Sequence, residues 1–244
     1  MEYKIKQPQT LVDYRDVFRC GGNDPRFRHL YLLLYWPLFG LLFYIAEWVY
    51  QPAAFFPMHC ALDDVIPFCE VFLIPYLFWF VFLVGMHLYT LLYDVNAFRK
   101  MMYFIIFTYS AALIMFYLFP TCQNLRPAVF PRDNLLTRMM GEFYQCDTST
   151  NVCPSLHVVG SMAVVFAAWQ TRRLQSRGWQ WAFGVTGVLI SISTVFVKQH
   201  SILDVLTAVP LCAAGYVLFF RTAYLPTPGV SSLPRCTQRR FQVK

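Results

Sequence analysis

Two short stretches concentrate the chemistry of this chain: Cys153-Pro154-Ser155-Leu156-His157 and His200-Ser201-Ile202-Leu203-Asp204. Each sets a histidine at the start of an apolar, helix-length run, and the second adds a carboxylate four residues on. An ionisable side chain in hydrocarbon costs about 2.5–3.5 kcal/mol on insertion scales, so three at such positions ask for a chemical reason. On a helix, i and i+4 share a face, and Asp204 can accept a hydrogen bond from one imidazole nitrogen of His200. That bond fixes the tautomer and leaves the other nitrogen as a nucleophile or base. The competing reading makes Asp204 a cap, or a satisfied buried polar residue, of the last apolar run. Pro154 suits the first turn of a helix. Ser155 and the amides after it then face a helix N-terminus, which favours anions. His157, placed just inside, can give a proton to a leaving oxygen, or it is simply an interfacial histidine. A third piece, Arg126-Pro127, offers a guanidinium able to hold a phosphate through two hydrogen bonds, or a contact to lipid headgroups. The shared chemistry is phosphoryl transfer at a membrane surface.

The elements that must position these residues are membrane-spanning helices. The chain has 244 residues, 57% hydrophobic and 18% aromatic but only 14% charged, where a soluble domain carries roughly 25% charged residues. The apolar residues fall in six runs, about 30–50, 67–93, 101–119, 154–171, 179–198 and 202–220. A crossing takes about 20 helical residues. The fold expected is therefore all-α, a six-span transmembrane helix bundle. The fourth run is the shortest, and Pro67 and Pro75 set a kink or an interfacial start on the second. Residues 1–29 form a polar arm, 30–220 the six-helix membrane domain and 221–244 a flexible basic tail. No apolar segment precedes residue 30, so the first run is expected to act as both signal and anchor. Most aromatic residues read as lipid-facing, core or interfacial-belt residues, with a few lining a lipid-tail groove near span four.

Charge sets the orientation. Basic residues crowd the N-terminal arm, the loop after span two (Arg99, Lys100), the loop after span four (Arg172, Arg173, Arg177) and the tail. By the positive-inside rule that side is cytoplasmic and holds both termini. Only Arg126, Arg132, Arg138 and Lys198 fall on the other side, all near the histidine motifs. The site then faces the extracytoplasmic or lumenal side. The net charge of +7 does not cluster on a soluble module. It points to anionic headgroups rather than nucleic acid.

Arg126-Pro127, then Pro154-Ser155-x-His157, then His200-x3-Asp204, on successive outward positions of a six-span chain, resembles the type 2 phosphatidic acid phosphatase superfamily. That superfamily also contains the vanadium haloperoxidases. The resemblance covers about residues 100–220, and Pro-Ser-Leu-His looks most like the inositol phosphorylceramide synthase branch. It implies an integral membrane lipid phosphatase or head-group phosphotransferase with a lipid substrate and no cofactor or metal. His200 would form a phosphohistidine, oriented by Asp204. His157 would protonate the leaving alkoxide and then deprotonate water or an alcohol. Arg126 and Ser155 would hold phosphate oxygens.

The chain departs from the family pattern twice. Phe119 stands where the first motif has a lysine, and Ser193-Thr194 where the third has Ser-Arg. Fewer cations favour a singly charged diester over a monoester dianion. Lys198, or Arg132 and Arg138, could replace the missing charges. A catalytically silent lipid-binding or scaffolding protein of the same fold is the alternative. His59, Asp63, Asp64 and Glu70 form a second outward polar group, read either as head-group contacts through Asp63 and Asp64 or as the loop and helix cap of span two, with Asp64 or Asp63 as the cap. Cys60, Cys122, Cys146 and Cys153 also lie outward, compatible with one or two disulfides or with thiols.

Overall fold

With no water in hydrocarbon, long apolar runs satisfy their backbone only as helices, and the chain folds accordingly. The structure, a computed structural model, describes Tyr14 and residues 24–221. The expectations of a cytoplasmic arm over most of 1–29 and of a flexible tail over 222–244 lie outside the described residues.

The first apolar segment begins as a 3-10 turn (Pro25–Leu34), continues as α1 (Tyr35–Tyr44) and ends in a π turn (Ile45–Val49). A short helix α2 (Ala61–Val65) precedes α3 (Leu73–Tyr93) and α4 (Val95–Leu118). The helix α4 starts ahead of the apolar run at 101, because the Asp94 side chain accepts from Ala97 N at 3.0 Å and caps it there. The helix α5 (Leu135–Cys146) lies in the loop between spans, capped reciprocally by Asn134 and Thr137. Then come α6 (Leu156–Gln170), α7 (Arg177–Phe196) and α8 (Ile202–Tyr216), the last extended by a π turn to Arg221. Two-residue strands, β1 (Phe56–Pro57) and β2 (Thr121–Cys122), pair in parallel and tie the loops together.

Among the described residues, five helical segments are long and apolar enough to cross a membrane: Phe27–Val49, Glu70–Tyr93, Val95–Leu118, Arg177–Phe196 and Ile202–Arg221. The expected fourth span is different. The helix α6 has 15 residues, about 22 Å at 1.5 Å per residue, short of a ~30 Å hydrocarbon core. Its start is sunk into the protein: residues 151–155, extended and turning ahead of it, are all buried. Irregular backbone at that depth is tolerated where protein covers it.

The helix α6 is also the hub, packing on α3, α4, α7 and α8. Its small residues permit this. A Cβ on Gly187 of α7 would lie 2.8 Å from Val165 Cγ2 of α6, so the glycine makes room for that side chain where the two helices cross. The main core joins Phe104, Ile105 and Tyr109 of α4 to Val159, Ala163 and Val164 of α6. Large apolar side chains such as Leu38, Leu41, Val81 and Val188 cover the outside, as a bilayer solvent requires. The ends of the bundle differ. One gathers the starts of α6 and α8 with the loops 121–123 and 147–152. The other gathers the basic loops: Lys100 Nζ donates to Gln170 Oε1 at 2.7 Å and the Arg173 guanidinium lies over the Tyr93 ring.

Candidate active site

The helix α7 stops where Lys198 takes a left-handed φ of 55°, the usual device for ending a helix. Gln199 N and His200 N then donate back to Thr194 O. This turn carries His200 towards the start of α6. The first turn of α8 is capped by Ser201 and Asp204 together: Leu203 N donates to Ser201 Oγ and Ser201 N to Asp204 Oδ2. The same Asp204 Oδ2 lies 3.1 Å from His200 Nδ1, and the carboxylate is fully buried. A carboxylate oxygen accepts, so Nδ1 is the nitrogen that donates to Asp204, and Nε2 is the one left for another partner. Asp204 is thus both helix cap and histidine partner, and the two readings of it coincide.

Ser155 N donates to Asp204 O at 3.1 Å. This single backbone bond fixes the start of α6 to the first turn of α8 and brings together motifs far apart in sequence. The His157 ring lies between two aromatic rings of α3, Tyr76 and Trp79, each with its centroid 4.4 Å away. It stands 5.9 Å, centroid to centroid, from His200 at 66°. His157 Nε2, Ser155 Oγ, Asp204 Oδ1 and Trp79 Nε1 are buried without a protein hydrogen-bond partner. Buried polar atoms are normally paired, so these are atoms that a water or a polar ligand could still bond. His157, His200, Asp204 and Ser155 are therefore brought together.

The cations are placed differently. Arg126 donates through Nε and Nη2 to Gln199 Oε1, and through its Nη atoms to the carbonyls of Tyr144, Asp147 and Thr148, all within 3.0 Å. It lies over the Tyr144 ring as well. Lys198 Nζ donates to Asp63 O and Ile66 O. Arg132 pairs with Glu70 at 3.4 Å and Arg138 with Asp133 at 2.8 Å. Each of these cations has protein partners.

Asp63 Oδ1 accepts from Ile202 N, and its Oδ2 accepts from Ser201 Oγ and Cys60 N. It therefore caps α2 and holds the start of α8. Burial pushes its carboxyl up, and these hydrogen bonds outweigh that and hold it below its ordinary value. Asp64 is exposed and meets His59 Nε2 at 2.8 Å. Neither residue caps span two as expected: Asp63 closes the cap of the short α2 and holds the start of α8, and Asp64 bonds only His59, away from the hydrogen bonds of His157 and His200.

Four residues of the site went unread in the sequence: Tyr76, Trp79, Asp147 and Gln199. Asp147 Oδ2 accepts from Tyr76 Oη at 3.2 Å and Gln199 Nε2 at 2.7 Å. Burial raises its carboxyl pKa, against the opposing pull of His200 and Arg126. An acidic residue a few positions before the Pro-Ser-Leu-His stretch was the only signal available. Tyr76 and Trp79 are two among many aromatics in an apolar run.

Among the described residues no group of three His, Cys, Asp or Glu could hold a metal ion, and the cysteines there, including Cys60, Cys122, Cys146 and Cys153, are thiols. The chain matches no protein-family model, no curated protein and no solved structure.

Proposed function

We propose that this chain is a six-span integral membrane enzyme that cleaves a lipid phosphoester through a phosphohistidine and passes the phosphoryl-bearing group to water or an alcohol. The observation that carries the proposal is the His200–Asp204 pair set 5.9 Å from a His157 whose Nε2 has no protein partner. A nucleophile held by a buried carboxylate, facing a second titratable ring, is the arrangement covalent catalysis needs.

His200 Nε2 attacks phosphorus while the bond from phosphorus to the leaving alcohol oxygen breaks, and His157 gives that oxygen its proton. His157 then takes a proton from water or an acceptor alcohol. The resulting oxygen attacks phosphorus and releases His200. Ser155 Oγ and the amides at the start of α6 face the phosphoryl oxygens. Tyr76 and Trp79 clamp the His157 ring. In this reading Arg126 and Lys198 are positioning residues. Arg126 holds Gln199, next to His200, and Lys198 pins the turn that presents His200 to the loop after α2.

A site whose cations are occupied, with the Asp147 carboxylate beside it, is poorly matched to a phosphate dianion. This supports a singly charged phosphodiester as donor and head-group transfer over simple monoester hydrolysis. The basic loops gathered at the opposite end support a cytoplasmic face there and an extracytoplasmic or lumenal site. The occupied Arg126 and Lys198 are also what a catalytically silent lipid-binding protein of this fold would show, which makes turnover the deciding measurement. Purified protein is offered phosphatidic acid and phosphatidylinositol separately, with and without an added alcohol, and His200→Ala as the blank. Diacylglycerol released from the diester, faster with the alcohol, is the expected result. Turnover that survives His200→Ala overturns the mechanism, and lipid binding with no turnover of either lipid favours the silent reading.

A further inference from the structure

Consecutive antiparallel helices joined by a short turn normally pack on each other. The helices α7 and α8, joined by residues 197–201, do not pack along their lengths, although α6 packs on both. The gap between them is a groove of about 700 Å³. Its floor is α6 (Val158, Met162, Phe166), and its walls include Val188 of α7 and Val205 and Val209 of α8. The wall hydroxyl, Ser191 Oγ, is turned back onto Gly187 O at 2.8 Å, so the surface offers nothing polar there. From Ile202 to Ala213, both on the groove wall, the groove runs about 16 Å at 1.5 Å per residue, roughly one leaflet of a ~30 Å hydrocarbon core.

Its upper end is built from the residues that carry the site. Val158 follows His157, Ile202 opens α8 two residues after His200, and the carbonyl of Ile66 receives the Lys198 ammonium. Val188, Val209 and Ala213 are exposed, so the groove opens sideways into lipid. A hydrocarbon chain lying in it therefore leads its own headgroup to the turn holding His200.

We infer that the α7–α8 groove binds one acyl chain of the phospholipid whose head group is processed at His157 and His200. This rests on the reading under Proposed function for the word substrate, but not for the binding of a chain. Two measurements separate the two. First, the full chain in nanodiscs is given a phosphatidic acid with a diazirine at the end of one palmitoyl chain, and the crosslinks are mapped by mass spectrometry. Labelling at Phe166 and Val209, at the end of the groove away from the histidines, should exceed that at the lipid-facing Leu38 and Val81. Ala213→Trp should cut it about tenfold, the scale of discrimination an apolar pocket achieves, and leave Leu38 unchanged. Labelling no greater in the groove than at Leu38, or insensitive to Ala213→Trp, overturns the groove. Second, Ala213→Trp should lower turnover of a dipalmitoyl lipid about tenfold more than that of its dioctanoyl counterpart. An unchanged ratio overturns the groove as the substrate's chain site. Groove labelling with no turnover of any lipid supports the chain site and removes the catalytic reading instead. Val188→Trp, on the opposite wall, repeats both tests if Ala213→Trp does not fold.

Discussion

Both carboxylate oxygens of Asp63 are hydrogen-bonded, to Ile202 N, Ser201 Oγ and Cys60 N, and the neighbouring Lys198 ammonium sits on two carbonyls. At the same end of the bundle, His157 Nε2, Ser155 Oγ and Asp204 Oδ1 are buried with no protein partner. The two clusters share one end of the bundle and the same start of α8, yet one is saturated and the other has loose ends. Saturated polar groups fix geometry and stability, whereas unpaired buried ones lower stability and are kept where something else completes them. The polar residues around the histidines thus divide by their remaining hydrogen-bonding capacity, not by their charge, into groups that are saturated by the fold and groups that a ligand or water could still bond.

The sharpest way to break this division is at the histidines. His200→Ala is expected to lower turnover by at least ~10⁴-fold, the scale for losing a nucleophile, and His157→Ala by about 10²–10⁴-fold, the scale for an acid–base group. Stability is read in His157→Gln and His200→Gln, which keep most of the volume packed on Tyr76 and Trp79. Neither should lower the midpoint of denaturant unfolding in detergent, because His157 Nε2 has no protein partner to lose and His200 gives up only its bond to Asp204. A large fall in unfolding midpoint with either would place the histidines in the scaffold and erase the contrast.

Asp63→Ala is the converse. It removes three hydrogen bonds from a buried carboxylate and should cost about 2–4 kcal/mol of stability. Lys198→Met should cost about 1–3 kcal/mol, by stranding the carbonyls of Asp63 and Ile66. If Lys198 instead holds substrate phosphate, kcat/KM falls while the unfolding midpoint stays, and the assignment of Lys198 to the scaffold is wrong.

Two carboxylates sharpen the comparison through pH. Asp63 is held below its ordinary value of 3.8. Its contribution is present above that value and is lost as pH falls through its lower folded one. Asp147 has the opposite sign. Burial raises it above 3.8, so its contribution is greatest at low pH and is lost as pH rises through the raised folded value. Asp147→Asn should flatten that second slope and stabilise the protein at neutral pH, while Asp63→Asn flattens the first and destabilises it. The same slope in both variants, read from unfolding midpoints between acid and neutral pH, would show that the two carboxylates do not belong to differently built regions.

The helix content, the apolar segments and the pairing of His200 with Asp204 were legible because each rests on local rules: long apolar runs, a helix start after Pro154, and i,i+4 spacing. The approach of His157 to that pair was expected only through the family resemblance, and rests on the long-range bond from Ser155 N to Asp204 O. The short α6 was half legible, as a run visibly shorter than its neighbours. Its cause was not, since the burial of residues 151–155 depends on the loops around 121–123 closing over them. Asp147, Gln199, Tyr76 and Trp79 were invisible for the same reason. Their roles come from packing between segments far apart in sequence, and no periodicity encodes which tyrosine of an aromatic-rich helix stacks on which histidine. Arg126 was legible as a residue type but not in its partners. Its residue type suits a phosphate, but its donors are taken by Gln199 and by backbone carbonyls around the end of α5 that only the fold supplies.

The smallest effect expected is at Asp64. Its side chain is 67% exposed and pairs with His59, itself 49% exposed. The hydrogen bond to Asp64 raises the His59 pKa above its ordinary 6.5, so whatever the pair contributes is present below that value and fades as pH rises through the raised one. In solvent such a pair is screened and weak. Asp64→Ala should therefore leave the unfolding midpoint, and kcat on any lipid, unchanged. The residue belongs to neither cluster unless a head group reaches it. A rise in KM for an inositol-bearing lipid, with no rise for phosphatidic acid, would mean that one does. The chemistry region would then extend along the loop past Asp63, and the boundary drawn at that saturated carboxylate would have to move outward by one residue.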